Sequence, residues 1–248
     1  MPLRERLWKA GLPAKVRQKL KKILLFALGW QARSSRRDLV QLGSKGAPWT
    51  IRDLAGTVRP IVVSAGISDD IEFEKNLLER YDCLVIALDP TPLSQEAVAP
   101  LKSAYPTRFS FLPNALAAND AELTYYAVLD GSGHPTYFYS SPPPGSEAMD
   151  LRIVKIQAIS IESIMRRHGL TQIDLLKIDI EGGEYDVLDG LLDGAIPVAQ
   201  ILVEFHYRFK DIGITKTSKL IRRLKASGYE LSWVSPWGEE FLFLKILR

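Results

Sequence analysis

The chain reads as an α/β fold built on a doubly wound, mostly parallel sheet, and three observations predict it. Short apolar runs (Ile61 to Val63, Leu84 to Leu88, Arg108 to Leu112, Leu175 to Ile180, Ile201 to Phe205) alternate with segments of helical period. These runs are nearly continuous rather than alternating with polar residues, which suits strands covered on both faces. The chain then closes with Tyr229 to Val234 and Glu240 to Lys245 around Pro236-Trp237-Gly238. That hairpin pattern predicts an antiparallel edge strand at the C-terminal end of the sheet.

Composition bounds the function classes. At 248 residues the chain can bury a core that needs no cross-links. Hydrophobic residues at 46% and charged residues at 25% are ordinary for a soluble globular protein. Cys83 is the single cysteine, so an intrachain disulfide and a cysteine-based metal site are excluded and a cytoplasmic setting is expected. Beside an apolar run, Cys83 reads as a small core residue.

The net charge of +3 conceals an asymmetry. Residues 1–37 carry eleven Lys and Arg against Glu5, or +10, which leaves 21 basic and 28 acidic residues, or −7, in the rest. A basic arm (residues 1–45, with its linker) on an acidic domain (46–248) assigns contact with anionic surfaces to the arm. Residues 14–30 read as an amphipathic helix, with Val16, Leu20, Ile23, Leu24, Ala27 and Leu28 at helical spacing among lysines and arginines. The apolar run Ile23 to Trp30 is shorter than the about 20 residues a membrane span needs, and no small-residue cleavage site follows it. Two readings stay open: peripheral contact of residues 1–37 with a membrane surface or partner, or packing on the chain's own domain as a lid or a solvated arm. Gln31 to Lys45 reads as a polar linker.

Within the domain, Ile61-Val62-Val63 is the first buried strand. Ser64, Gly66, Ile67, Ser68 and Asp69 follow it, and then a helix from about Ile71 to Arg80. Strand, glycine turn and helix N-terminus together form a place where a ligand can approach the backbone. A GxGxxG fingerprint is absent, which argues against a nicotinamide enzyme. The second strand ends in Asp89-Pro90, where an acid can accept both hydroxyls of a ribose. A helix over Leu93 to Ala104 is interrupted at Pro100. The third strand is followed by Asn114, Ala115 and Leu116. Residues 119–151 read as an insertion over the cleft, with strands at Glu122 to Leu129 and Thr136 to Ser140 and a proline run at 142–144. His134, in this insertion, reads as structural or solvated. Ser160 caps a helix to about His168, and Lys219 to Ser227 supplies another.

The organising stretch is Asp174 to Leu188. Lys177, Asp179 and Glu181 lie two apart, so on a continuing strand they share a face beyond which ligands bind. A carboxylate in an apolar run is costly to bury without a partner, which marks Asp179. Glu184 reads as an acid that favours the start of the next helix through its dipole. Lys177 reads as the partner of a carboxylate. Glu204 and His206 end the fifth buried strand and also share a face.

Leu-Lys-Ile-Asp-Ile-Glu-Gly-Gly-Glu-Tyr-Asp-Val-Leu, residues 176–188, resembles the signature of the FkbM-type S-adenosylmethionine (SAM) methyltransferases. Val-Val-Ser-Ala-Gly-Ile-Ser-Asp-Asp-Ile-Glu-Phe-Glu (62–74), Asn114 to Leu116 and Glu-Phe-His (204–206) resemble further parts of that family in the same order, over about Trp49 to Leu244. The resemblance implies a Rossmann-like, seven-stranded class I methyltransferase fold. It also implies SAM as cofactor and O-methylation of a hydroxyl on a small molecule or saccharide. On the resemblance, Ser64 to Asp69 hold the methionyl end of SAM, Asp89 and Pro90 its ribose, and Asn114 to Leu116 its adenine. Ser64 stands where an acid is usual, and Asp69 is a nearby source of that charge.

Methyl transfer from SAM requires an aligned acceptor oxygen and removal of its proton. His206 is the expected base, because an imidazole titrates near neutrality, with Asp179, Glu204 and Glu181 as orienting or acceptor-binding groups. Two carboxylates and an imidazole are also a usable ligand set for a divalent ion, although no metal is assigned here. A non-catalytic, membrane- or partner-tethered module retaining the fold is the alternative, with Ser64 in its favour. Nucleic acid is not expected as a partner, since the acidic domain lacks a basic stripe with interleaved aromatics.

Overall fold

The computed structural model describes residues 14–32, 38–46, 48–129, 131, 133, 135–139, 151–209 and 211–246. The first thirteen residues, Arg33, Arg36 and Arg37, His134 and the proline run at 142–144 lie outside these.

Seven strands form the central sheet: β3 (Ile61–Ala65), β4 (Leu84–Leu88), β5 (Phe109–Leu112), β10 (Leu175–Ile178), β11 (Gln200–Glu204), β12 (Tyr229–Val234) and β13 (Glu240–Lys245). Their order is β12-β13-β11-β10-β3-β4-β5. The five strands from β11 to β5 pair in parallel, and β13 is antiparallel to both of its neighbours. The C-terminal strand is therefore the antiparallel one, as the hairpin predicted. It is inserted one place inside the edge, which β12 occupies.

The apolar runs are strands because helices cover both of their faces. Alternation along each strand sends neighbouring side chains to opposite layers. Val63, Ile86, Leu176, Ile201 and Val203 pack against α5 (Ile161–His168), α6 (Glu184–Asp193) and α7 (Gly213–Ala226). Val62, Val85, Leu175 and Leu202 meet α2 (Glu72–Arg80) through Phe73, Leu77 and Leu78. Local chemistry sets the helix ends. Ser160 accepts from the Ser163 amide and starts α5, which ends at Gly169 with φ 63°. Pro100 divides the expected helix into α3 (Pro92–Ala97) and α4 (Ala99–Ala104). Helix α7 begins six residues before the expected Lys219, because Thr217 is buried and shares a hydrogen bond with Tyr185.

One segment departs from the reading of the sequence. Within the expected linker, Leu39–Leu42 is a strand, β1, paired antiparallel with β2 (Trp49–Arg52). Buried Gln200 clamps this hairpin to the sheet, its side-chain amide accepting from the Arg52 amide and donating to the Arg52 carbonyl. The insertion carries its two expected strands, and they are part of a sheet of their own. β7 (Ala121–Leu129), β8 (Pro135–Tyr139) and β9 (Leu151–Ile159), joined by β6 (Ala115–Leu116), form a second four-stranded sheet.

Helix α1 (Ala14–Ala27) docks on the domain by its C-terminal end. Leu25 is buried there, and Trp30 is 2% exposed with its ring edge-on to Tyr207 and Phe241. Leu20, Ile23 and Phe26 form an outward stripe. Of the open readings of this helix, packing on the chain's own domain thus applies to the Leu25–Trp30 side. Trp30→Ala should lower the stability of the chain by about 3–5 kcal/mol, the usual cost of truncating a buried tryptophan, seen as a lower urea midpoint at unchanged slope. Leu20→Ser, on the outward stripe, should change it by no more than ~0.5 kcal/mol. Equal midpoints for Trp30→Ala and the wild type would mean that α1 is not docked.

Candidate active site

The site forms where β3, β4, β10 and β11 end at the middle of the sheet. The chain leaves β3 through Gly66 at φ 81° and Ser68 at φ 55°. A Cβ on Gly66 would lie 1.6 Å from the Asp179 carbonyl oxygen, so only glycine fits between the two strand ends. The loop is fixed from two further sides. Lys177 Nζ donates to the Gly66 carbonyl at 2.6 Å, and Asp89 Oδ2 accepts from the Ile67 and Ser68 amides at 2.8 and 2.9 Å. The other Asp89 oxygen accepts from the amide and hydroxyl of Thr91. Lys177 therefore bonds a carbonyl and lies over the Trp49 ring, instead of forming the expected carboxylate pair.

Two cavities meet at Gly66. The first is lined by Gly66, Ile67, Ser68, Asp89, Pro90, Asn114, Ala115 and Leu116, with Tyr125 and Phe138 contributed by the second sheet. Its walls are largely apolar and aromatic, with Asp89 and the Asn114 amide on one side and Asp179 and Glu181 on the other, a donor and acceptor set that fits an adenosine. The Asn114 side chain donates to the Gln157 carbonyl and so ties this wall to β9. The second cavity shares Gly66, Ile67, Ser68 and Asp179 with the first, and adds Trp49, Asp69, Asp70, Glu74, Lys177, Glu204 and Glu240. A space so rich in carboxylates suits a cationic group, which the sulfonium and ammonium of SAM provide. Asp69 thus lines the second cavity and not the first.

Ser64 lines neither cavity, contrary to the expected contact with cofactor. The pleat turns it into the α2 layer, where it is fully buried and donates to Glu74 Oε1 at 2.6 Å.

Beyond the ends of β10 and β11 four carboxylates surround one imidazole. His206 is 1% exposed. Its Nδ1 lies 2.8 Å from Glu184 Oε1, and its Nε2 faces Glu181 at 3.1 Å, Glu204 at 3.7 Å and Asp179 at 3.9 Å. The three expected groups and Glu181 are therefore brought together. Glu184, read from the sequence as a helix-dipole residue only, is instead completely buried and holds the imidazole. It also accepts from the Ile180 and Gly182 amides, which closes the turn into α6. The strand does not persist to Glu181, whose φ is 54°; that turn, not strand alternation, aims its carboxylate at His206.

The electrostatics follow from burial and crowding. Burial opposes charge on His206, but Glu184 and Glu181 overcome it and raise its pKa well above the usual imidazole value. Burial raises Asp179 against the pull of Lys177 and His206. Burial and the neighbouring Asp179 push Glu204 up to about 8. At neutral pH His206 is thus an imidazolium that already carries its second proton, and it cannot accept another. One ligand atom each from Asp179, Glu181 and His206 lie within 4.8 Å of one another, so the same groups could hold a divalent ion.

Residues 59–231 match the sequence profile described as the methyltransferase FkbM domain. A stretch of 73 residues is 37% identical to the AMB antimetabolite synthetase AmbE of Pseudomonas aeruginosa, covering 29% of this chain and 3% of that protein. Among solved structures, similarity extends to the fibrillarin pre-rRNA processing protein of Methanococcus jannaschii (10% identity, TM-score 0.44, 75% of this chain and 66% of that one). It extends also to a TehB-like SAM-dependent methyltransferase from Corynebacterium glutamicum (12% identity, TM-score 0.36, 77% and 83%). The profile match spans most of the chain and includes Gly66, Asp89, Asp179, Glu204 and His206, and on that ground the chain belongs to the FkbM family of SAM-dependent methyltransferases.

Proposed function

We propose that the chain transfers the methyl group of SAM to a hydroxyl oxygen on a small molecule or saccharide. The observation that carries this reading is Asp179, which lines both cavities beside Gly66 and lies within the carboxylate–imidazole cluster. SAM supplies a methyl group already activated on a positively charged sulfur. The protein has then to hold the acceptor oxygen in line and receive its proton.

Glu204 is the proton acceptor in this reading, in place of the expected His206. Its pKa of about 8 makes it a stronger base than an ordinary carboxylate. His206, as an imidazolium fixed by Glu184, places a positive charge beside the oxygen as it loses its proton. Asp69 and Asp70, on the rim of the second cavity, disfavour phosphate-bearing acceptors, which supports a neutral small molecule or sugar over nucleic acid.

The test is methyl transfer from isotopically labelled SAM to hydroxylated acceptors, with the label located by NMR. Label on nitrogen or carbon would overturn O-methylation, and SAM binding without transfer would favour the tethered module. With an acceptor in hand, Glu204→Gln should lower kcat about 10²–10⁴-fold and leave SAM affinity unchanged. Wild-type kcat should climb through pH of about 8 as Glu204 ionises. The same ionisation sets a stability slope. A carboxyl with a raised folded pKa contributes stability in full below its ordinary 4.5, and loses that contribution as pH rises through about 8. Near-full activity in Glu204→Gln would remove Glu204 from the mechanism. Loss of activity in EDTA, restored by Mg²⁺ or Mn²⁺, would assign the cluster to a metal instead.

Asp89 is proposed to accept the ribose hydroxyls, exchanging the Thr91 hydroxyl for them. Calorimetry on Asp89→Asn should show SAM affinity reduced at least several-fold, since a charged hydrogen-bond acceptor contributes about 1.5–3 kcal/mol. Wild-type affinity in that variant would refute the assignment.

For the arm, the proposed reading is peripheral contact with an anionic membrane surface. The exposed stripe of Leu20, Ile23 and Phe26 on a helix within the +10 segment supports it. No helix among the described residues is long and apolar enough to cross a membrane. The full chain should cosediment with phosphatidylserine vesicles, less so as salt is raised, and the double substitution Ile23→Glu, Phe26→Glu should abolish the binding. Unchanged cosedimentation of that variant would exclude the helix as the contact.

A further inference from the structure

The family resemblance leaves one group of the cofactor without its usual partner: the ammonium at its methionyl end, for which an acid is usual where this chain has Ser64. The structure places another acid against that position. Glu74, from the first turn of α2, is 1% exposed, and its Oε1 accepts the Ser64 hydroxyl at 2.6 Å. Its Oε2 is buried with no hydrogen-bond partner. A buried carboxylate oxygen left unsatisfied is costly, and such a group marks a missing partner. Glu74 lines the second cavity together with Gly66, the turn at which that cavity meets the adenosine-shaped one.

We propose that Glu74 binds the ammonium of SAM through Oε2, with Ser64 holding the carboxylate by Oε1. The acid that the first strand lacks is thereby supplied ten residues later, from the helix that packs on it.

Three further features agree with this assignment. Ser64 and Lys177 face each other in register on β3 and β10, so one layer presents both a buried carboxylate and a buried ammonium to the cavity. That is the charge pattern of a zwitterionic amino-acid end, with Lys177 as the group nearest a carboxylate. The nearer candidate in sequence, Asp69, is exposed, and its charge is screened by water. Glu240 also has a buried unpaired oxygen in this cavity, but it lies on β13, three strands from β3. Burial raises the Glu74 carboxyl and Lys177 opposes the rise; an incoming cation would complete its ionisation.

The test compares two ligands by calorimetry on the full chain: S-adenosylhomocysteine and its analogue lacking the amino group. The wild type should prefer the amino compound about tenfold or more, and Glu74→Gln should reduce that preference to about twofold or less. Gln keeps the side-chain volume and an acceptor for Ser64, so affinity for the deamino analogue should persist in the variant. Equal affinity of the wild type for the two ligands would overturn the proposal without any variant and would leave the cofactor site intact. An equal loss for both ligands in Glu74→Gln would also overturn it, by showing a purely structural role. Failure of the wild type to bind either ligand would instead remove the cofactor site on which the proposal rests.

Discussion

Between Gly66 and the carbonyl of Asp179 there is no room for a single methyl group, and the active site is arranged around that contact. It brings the ends of β3 and β10 together so closely that the loop after β3 can turn only with positive φ at glycine. Lys177 and Asp89 then tie the loop from the neighbouring strands, one through a carbonyl and the other through two amides. Each cavity has this loop as one wall. The backbone, more than any one side chain, therefore determines where a ligand can lie.

A second constraint is electrostatic. Four carboxylates within reach of one buried imidazole cannot all remain ionised in a poorly hydrated space. The cluster answers by holding a proton on His206 and by shifting Glu204 toward neutrality. An ordinary carboxylate pair at a strand end would have little basic strength at neutral pH. Burial, with Asp179 crowding beside it, is what lifts the Glu204 carboxyl to about 8, and Glu184, hidden beneath the imidazole, keeps the ring in position.

Outside the central sheet, the second sheet and α1 add what the bare fold lacks. Tyr125 and Phe138 close one side of the first cavity, so an insertion supplies part of its wall. Trp30 anchors α1 beside Tyr207, the residue after His206. The helix that carries the outward apolar stripe is thereby packed against the segment that ends β11.

Much of this was legible in the residues themselves. Continuous apolar runs fixed five central strands, because a strand buried on both faces leaves no choice of polarity along its length. Strand-end positions marked Asp89, Asp179, Glu204 and His206, since acids and an imidazole next to such runs have few bland explanations. What period and position could not convey were contacts between elements far apart in sequence. Glu184 resembled any acid in a first helical turn until β11 brought His206 to it from 22 residues on. Ser64 resembled a cofactor ligand until the pleat turned it to Glu74. Lys177 had carboxylates two residues away and bonded a carbonyl from another strand instead. The sequence by itself determined which segments are strands and helices and roughly where a ligand would sit, because periodicity and burial are local properties. Only the tertiary structure decided which charge meets which, because hydrogen-bond partners are selected by the packing of strand ends in space.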